Sequence, residues 1–100
     1  MRTIDLGSLE MFRAVVREGG ITRAASKLHR VQSNVTTRIK HLEQRLGVAL
    51  FRRQGRALVQ TAAGENLLVY SERLLRLADE AEEAVRDAPR RRPFRLGAME

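Results

Sequence analysis

The sequence predicts a mainly α-helical fold in which three short helices and a two-stranded β-hairpin precede one long helix. Three observations point there. Apolar residues recur at helical spacing in separate stretches. Glycine or proline stands where most of those stretches stop. Two short apolar runs around a Gly-containing pair lie between the third stretch and the fourth, which is the pattern of a hairpin. The core these elements can build is aliphatic, because 43% of the 100 residues are apolar and only 4% are aromatic.

Asp5 is placed to cap the first helix, its carboxylate accepting from amides of the next turn. Leu6, Leu9, Phe12, Val15 and Val16 then form one apolar face, and Gly19-Gly20 ends it. Thr22 is read as the cap of a second helix over Arg23 to Leu28, in which Ala24 and Ala25 are small enough for another helix to cross closely. His29-Arg30-Val31 makes a turn. The third helix runs from Gln32 to Leu46 and stops at Gly47. Val35, Ile39, Leu42 and Leu46 give it one buried stripe. Its other face carries Gln32, Ser33, Thr36, Thr37 and Lys40 near the N-terminus. A solvated helix face is more usually rich in Glu, Lys and Arg, whereas short polar side chains let a helix enter a major groove and meet base edges.

Val48 to Arg53 and Arg56 to Thr61 are the two runs of the hairpin, with Gln54-Gly55 read as the connecting pair. Three helices followed by such a hairpin make a winged helix-turn-helix. The wing is basic at its base (Arg52, Arg53) and its tip (Arg56), where contacts to a nucleic-acid backbone or minor groove would fall. Thr61 caps the long helix, read from Ala62 to Asp87. Leu67, Ser71, Leu74, Ala78, Ala81, Val85 and Ala88 alternate there in steps of four and three, a heptad seam, with Leu68, Leu75 and Leu77 widening it. So much exposed leucine needs a partner, either a second copy or the first helix of the same chain. Pro89 is expected to end the helix, Pro89 to Pro93 to form a stiff hinge, and Phe94 to Glu100 to open a strand.

The net charge of +7 is segregated: residues 1–61 sum to +8, residues 62–88 to −4 and the tail to +3. A basic block beside an acidic one points to a polyanionic partner for the first alone. The absence of cysteine excludes disulfides and thiolate metal sites and agrees with a reducing cytoplasm. No uncharged apolar run suits a membrane span, and residues 1–8 lack the apolar stretch of a signal peptide. Ser26, His29 and His41 are the residues an enzyme reading would use, but they form no nucleophile, base and orienter set, and no metal-ligand spacing or glycine-rich phosphate loop accompanies them. The few aromatic residues argue against single-stranded RNA as the ligand, since base stacking needs exposed rings.

The same residues resemble a known family. Phe12-Arg13-Ala14-Val15-Val16, Gly19-Gly20-Ile21-Thr22-Arg23-Ala24-Ala25 and Leu28-His29 are similar to the first two helices of LysR-type transcriptional regulators. Gln32 to Glu43 resembles their recognition helix. Leu46 to Arg53, Gly55-Arg56 and Thr61-Ala62-Ala63-Gly64 resemble the wing and the start of the linker helix, and Leu96 to Glu100 the first strand of an effector-binding domain. Many members have Ser where this chain has Val31 and Pro where it has Ser33.

The resemblance implies three parts: a winged helix-turn-helix over residues 1–61, a linker or dimerisation helix over 62–88, and a hinge with the start of an effector-binding domain over 89–100. It implies base contacts from Gln32, Ser33, Thr36 and Thr37. Backbone or minor-groove contacts fall to Thr22, Arg23, Arg38, Lys40, Arg52, Arg53 and Arg56. A homodimer would form through Leu67, Leu74, Leu75, Ala78, Ala81 and Val85. The implied partners are double-stranded DNA bearing an interrupted inverted repeat, a second copy, a tetramer in a longer protein, and RNA polymerase. The implied ligand is a small-molecule effector held beyond Glu100, with no cofactor in these residues.

Overall fold

The computed structural model describes residues 4–91. Its elements are α1 (Leu6–Glu18), α2 (Ile21–Leu28), α3 (Gln32–Leu46), β1 (Phe51–Gln54), β2 (Ala57–Gln60) and α4 (Ala62–Arg91).

Asp5 caps α1, its Oδ1 accepting from the Ser8 amide at 2.7 Å, and Gly19 closes the helix in the left-handed region. That amide bond, with smaller help from the Ser8 hydroxyl and the charges of Arg38 and Arg45, holds the Asp5 carboxyl below its ordinary pKa; partial desolvation opposes them. The contribution of the charged cap to stability is therefore present above the unfolded carboxylate pKa and is lost as pH falls through the lowered one. Leu6 does not join the buried face. It stands roughly one and two-thirds turns before Phe12 and so swings outward, while Ser8 and Met11 turn inward.

Helix α2 begins two residues earlier than the sequence suggests, and Thr22 is not its cap. Gly19 is left-handed and Gly20 extended, which redirects the chain within two residues. The Gly20 carbonyl accepts from the Ala24 amide, and Ile21 packs on the core, so apolar burial anchors the first turn where no side chain caps it. His29 ends α2 with φ 58°, the one non-glycine residue in the left-handed region among the described residues. Val31 precedes α3 without a side-chain cap, and its carbonyl alone receives the amides of Asn34 and Val35.

Phe12, Val15, Ala24, Ala25, Val35, Ile39, Leu42 and Leu50 form the core. Ala24 and Ala25 lie fully inside, which lets α2 sit close to α1 and α3. The Phe12 ring meets Phe51 at 5.3 Å between centroids, joining α1 to the root of the hairpin. The strands pair antiparallel from Phe51 opposite Gln60 to Gln54 opposite Ala57. The connecting pair is thus Gly55-Arg56 rather than Gln54-Gly55. Gly55 has φ 65° and Arg56 has not, the arrangement of a type II′ turn with glycine at its first central position.

Thr61 links the wing to α4. Its Oγ1 accepts from the Gly64 amide at 3.0 Å and donates to the Ala49 carbonyl at 2.6 Å, and its amide donates to the Leu50 carbonyl. The first turns of α4 pack on the core through Ala63, Leu67 and Leu68, and Ser71 and Leu75 are buried farther along. Glu72 reaches Arg17 of α1 at 2.8 Å. Two residues assigned from sequence to a dimer seam are therefore used within the chain: Leu75 is only 5% exposed, and Leu67 packs against the core. Leu74, Leu77, Ala81 and Val85 stay exposed and Ala78 is half-covered. Pro89 does not end the helix, which continues to Arg91. A helical proline leaves the carbonyl four residues earlier without its amide partner. Here that carbonyl is Val85's, and the residue is 72% exposed, so water can take the vacant bond. The strand expected over Phe94 to Glu100 lies outside the described residues.

At Gly64 α4 passes tightly against the domain: a Cβ there would collide with the Leu50 carbonyl. Gly64→Ala is expected to destabilise the chain by roughly 1–3 kcal/mol through forced displacement, outweighing the ~1 kcal/mol by which alanine favours a helix. Urea denaturation measures it, and an unchanged or raised midpoint would contradict this packing.

Candidate nucleic-acid interface

The buried stripe of α3 fixes what its remaining faces can do. With Val35, Ile39 and Leu42 inside, Gln32, Ser33, Thr37 and Lys40 are exposed and Thr36 is half-covered. None of the proposed base-contacting groups is sunk in the core. Amide and hydroxyl groups stand on the outer face of a helix whose opposite side is held by the whole domain.

An open groove of about 500 Å³ runs along one edge of this face. It brings together Gln32 and Thr36 of α3, Thr22 and Arg23 of α2, and Arg53 and Arg56 of the wing. A neighbouring hollow of about 230 Å³ joins Thr36 and Lys40 to Arg52 and Arg53. Residues separated by more than thirty positions in the chain thus share one side of the molecule. Arg23, Lys40, Arg52, Arg53 and Arg56 are exposed, and among the described residues none of them is in an ion pair. Unneutralised guanidinium and ammonium groups along the wing-side edge of a polar helix suit a ligand that presents phosphate charge beside hydrogen-bonding groups.

Arg38 is placed differently. Its guanidinium points to the start of α1, 3.6 Å from the Asp5 carboxylate, on the edge of α3 away from the wing. The residues of the enzyme reading are dispersed: Ser26 lies exposed on α2, His29 in the left-handed turn and His41 on the Arg38 edge of α3. Tyr70 is exposed, with the Arg73 guanidinium 5.6 Å from its ring.

Sequence reasoning missed Glu43. Its carboxylate leaves α3 and accepts from the amides of Leu50 at 2.7 Å and Phe51 at 3.2 Å, tying the recognition-type helix to the root of the wing. In sequence it reads as one more acid on a charged helix. Its only distinguishing mark is being one of four acids in a segment of strong positive charge.

A family model, the bacterial regulatory helix-turn-helix protein of the lysR family, matches residues 6–65. The HTH-type transcriptional regulator YofA of Bacillus subtilis (strain 168) is 47% identical over 98 residues, covering 97% of this chain and 34% of that protein. The chain thus spans about a third of the length of the curated relatives it matches. In three dimensions it is similar to the CbnR DNA-binding domain crystallised with DNA, at TM-score 0.80 and 35% identity over 85% of this chain and 98% of that one. It is also similar to the BenM DNA-binding domain in its complex with catB site 1 DNA, at TM-score 0.81 and 32% identity over 84% and 90%.

The Glu43 clasp should hold the wing in register with α3. Glu43→Ala removes the acceptor of two backbone amides and is expected to cost about 1–3 kcal/mol. Hydrogen exchange at Leu50 and Phe51 should speed up more than at Val35 or Ile39, and equal protection in both proteins would show that the wing is held by other means.

Proposed function

The chain belongs to the lysR family of bacterial regulatory helix-turn-helix proteins, and from that membership we propose that it reads double-stranded DNA as a transcription regulator. Helix α3 enters the major groove with Gln32, Ser33, Thr36 and Thr37 toward the base edges. Thr22, Arg23, Lys40, Arg52 and Arg53 meet phosphates, Arg38 meets them from the far edge of the helix, and Arg56 at the wing tip reaches the minor groove. The observation that carries this reading is the shared groove, in which Gln32 and Thr36 face the same space as Thr22, Arg23, Arg53 and Arg56. A recognition helix specifies sequence, and the cations flanking it position the duplex.

The proposed active form is a homodimer paired through the outer stripe of α4. Tyr70, Leu74, Leu77, Ala81 and Val85 are exposed on a helix whose other side is already occupied by its own domain. The stripe is balanced about its middle. Tyr70 and Val85, Leu74 and Ala81, and Leu77 and Ala78 stand at equal distances from it, pairing large with small residues when a second copy lies antiparallel. Arg73 and Glu80 share one flank, so the same orientation also sets opposite charges together. Such symmetry calls for an interrupted inverted repeat in the DNA. In this reading residues 1–61 form the DNA-binding domain, 62–88 the linker and residues from 89 onward the connection to an effector-binding domain. The longer protein assembles to a tetramer in the cytoplasm and recruits RNA polymerase under control of a small molecule. Among the described residues no helix is long and apolar enough to cross a membrane.

Selection from a random duplex pool is expected to return an interrupted inverted repeat. On that duplex Gln32→Ala should lose on the order of 1–3 kcal/mol while binding to random DNA is unchanged, and affinity should fall steeply with salt. Equal losses on both duplexes would rule out base readout by Gln32. Leu77 is 60% exposed within the chain, so Leu77→Arg leaves the fold intact. Sedimentation should show it converting the dimer to monomer, and an undiminished dimer would place the interface elsewhere.

A further inference from the structure

A helix in a major groove has a phosphate strand on each side, because the groove is about 12 Å wide and a helix with its side chains spans roughly 10–12 Å. The wing and α2 serve one strand. The other edge of α3 carries Asn34, Arg38, His41 and Arg45, four residues in steps of four, three and four that lie along a single line of the helix.

Three of these, Arg38, His41 and Arg45, line a hollow of about 260 Å³ between α3 and the start of α1, with Asp5, Ser8 and Leu42 completing it. One anion already sits there. The Asp5 Oδ1 is 3.6 Å from the Arg38 Nη2, and the charges of both Arg38 and Arg45 favour its ionised form. This contact is longer than the 2.7–2.9 Å of a strong charge-assisted bond. It is also wet, the Arg38 side chain being 41% exposed. The principal bond of that carboxylate is to the Ser8 amide as a helix cap, which leaves the guanidinium available to a better placed anion.

We propose that Arg38, His41 and Arg45 form a second phosphate seat for the duplex, and that the Asp5 carboxylate competes for it as a built-in anion. The inference rests on the duplex-binding reading and adds Arg45 and His41 to the contacts, with Asp5 as an attenuator of affinity. Docking exchanges the Asp5–Arg38 contact for a phosphodiester contact, and Asp5 keeps its capping bond throughout.

The test compares the wild-type chain with Asp5→Asn and Arg45→Gln on two duplexes, the one selected above and one of random sequence, across a salt series. Asparagine caps as well as aspartate, so Asp5→Asn removes the charge and keeps the helix start; thermal melting checks this. It is expected to bind both duplexes roughly two- to five-fold more tightly, the range of an exposed ion pair. Arg45→Gln should weaken both alike and lower the salt slope by about one. In the Arg38→Gln, Arg45→Gln background the gain from Asp5→Asn should vanish, which a purely capping role does not predict. Unchanged affinity in Asp5→Asn, or an unchanged slope in Arg45→Gln, overturns the seat while leaving base readout standing. If the wild type shows no salt-dependent duplex binding at all, the seat and the duplex reading fall together.

Discussion

Burial of Val35, Ile39 and Leu42 against α1 and α2 is the constraint on which the rest of the molecule depends. A helix has few faces, and committing one to the core decides the fate of the others. Once that stripe is inside, the outer polar face, the wing-side edge and the α1-side edge of α3 are all determined by its period. Ala24 and Ala25 make the arrangement possible by letting α2 approach without side chains in the way, and Phe12 fills the space beneath. The functional surface is thus a by-product of core packing.

Much of this was legible in the sequence. The bounds of α3, the Asp5 and Thr61 caps and the presence of a hairpin follow from local signals: an apolar period, a capping residue, a glycine with positive φ. These report on neighbours a few residues apart, and the structure agrees with them. The errors fall where distant parts of the chain decide. The start of α2 moved because Ile21 finds the core, and Leu75, read as part of a dimer seam, is buried within the chain on a helix that packs along α1. Leu6 reads as apolar on a helix, yet only the direction of the core says which way it points.

The candidate site shows the same division. The polar face of α3 and the wing arginines could be named from their residue types, but their convergence on one groove depends on how far the hairpin folds back over α2 and α3. Glu43 was invisible because its partners are backbone amides, which no sequence pattern marks. Arg17 and Glu72 likewise read as two solvated charges on separate helices, and their pairing at 2.8 Å follows only from the angle at which α4 crosses α1. Family membership and this geometry support one another, since the matched residues 6–65 are those whose packing builds the groove.

The hydroxyl of Thr61 has a mechanical consequence. Bonded at once to Ala49 and to Gly64, it ties the single residue between β2 and α4 both to the segment that leads into β1 and to the first turn of the helix. A helix as long as α4 extends roughly 45 Å in a molecule whose greatest dimension is 59 Å. Turning that rod by about 10° carries its far end through roughly 8 Å, by the same length. The distal tip of α4 is therefore the end of a long lever whose near end is fastened to the root of the hairpin.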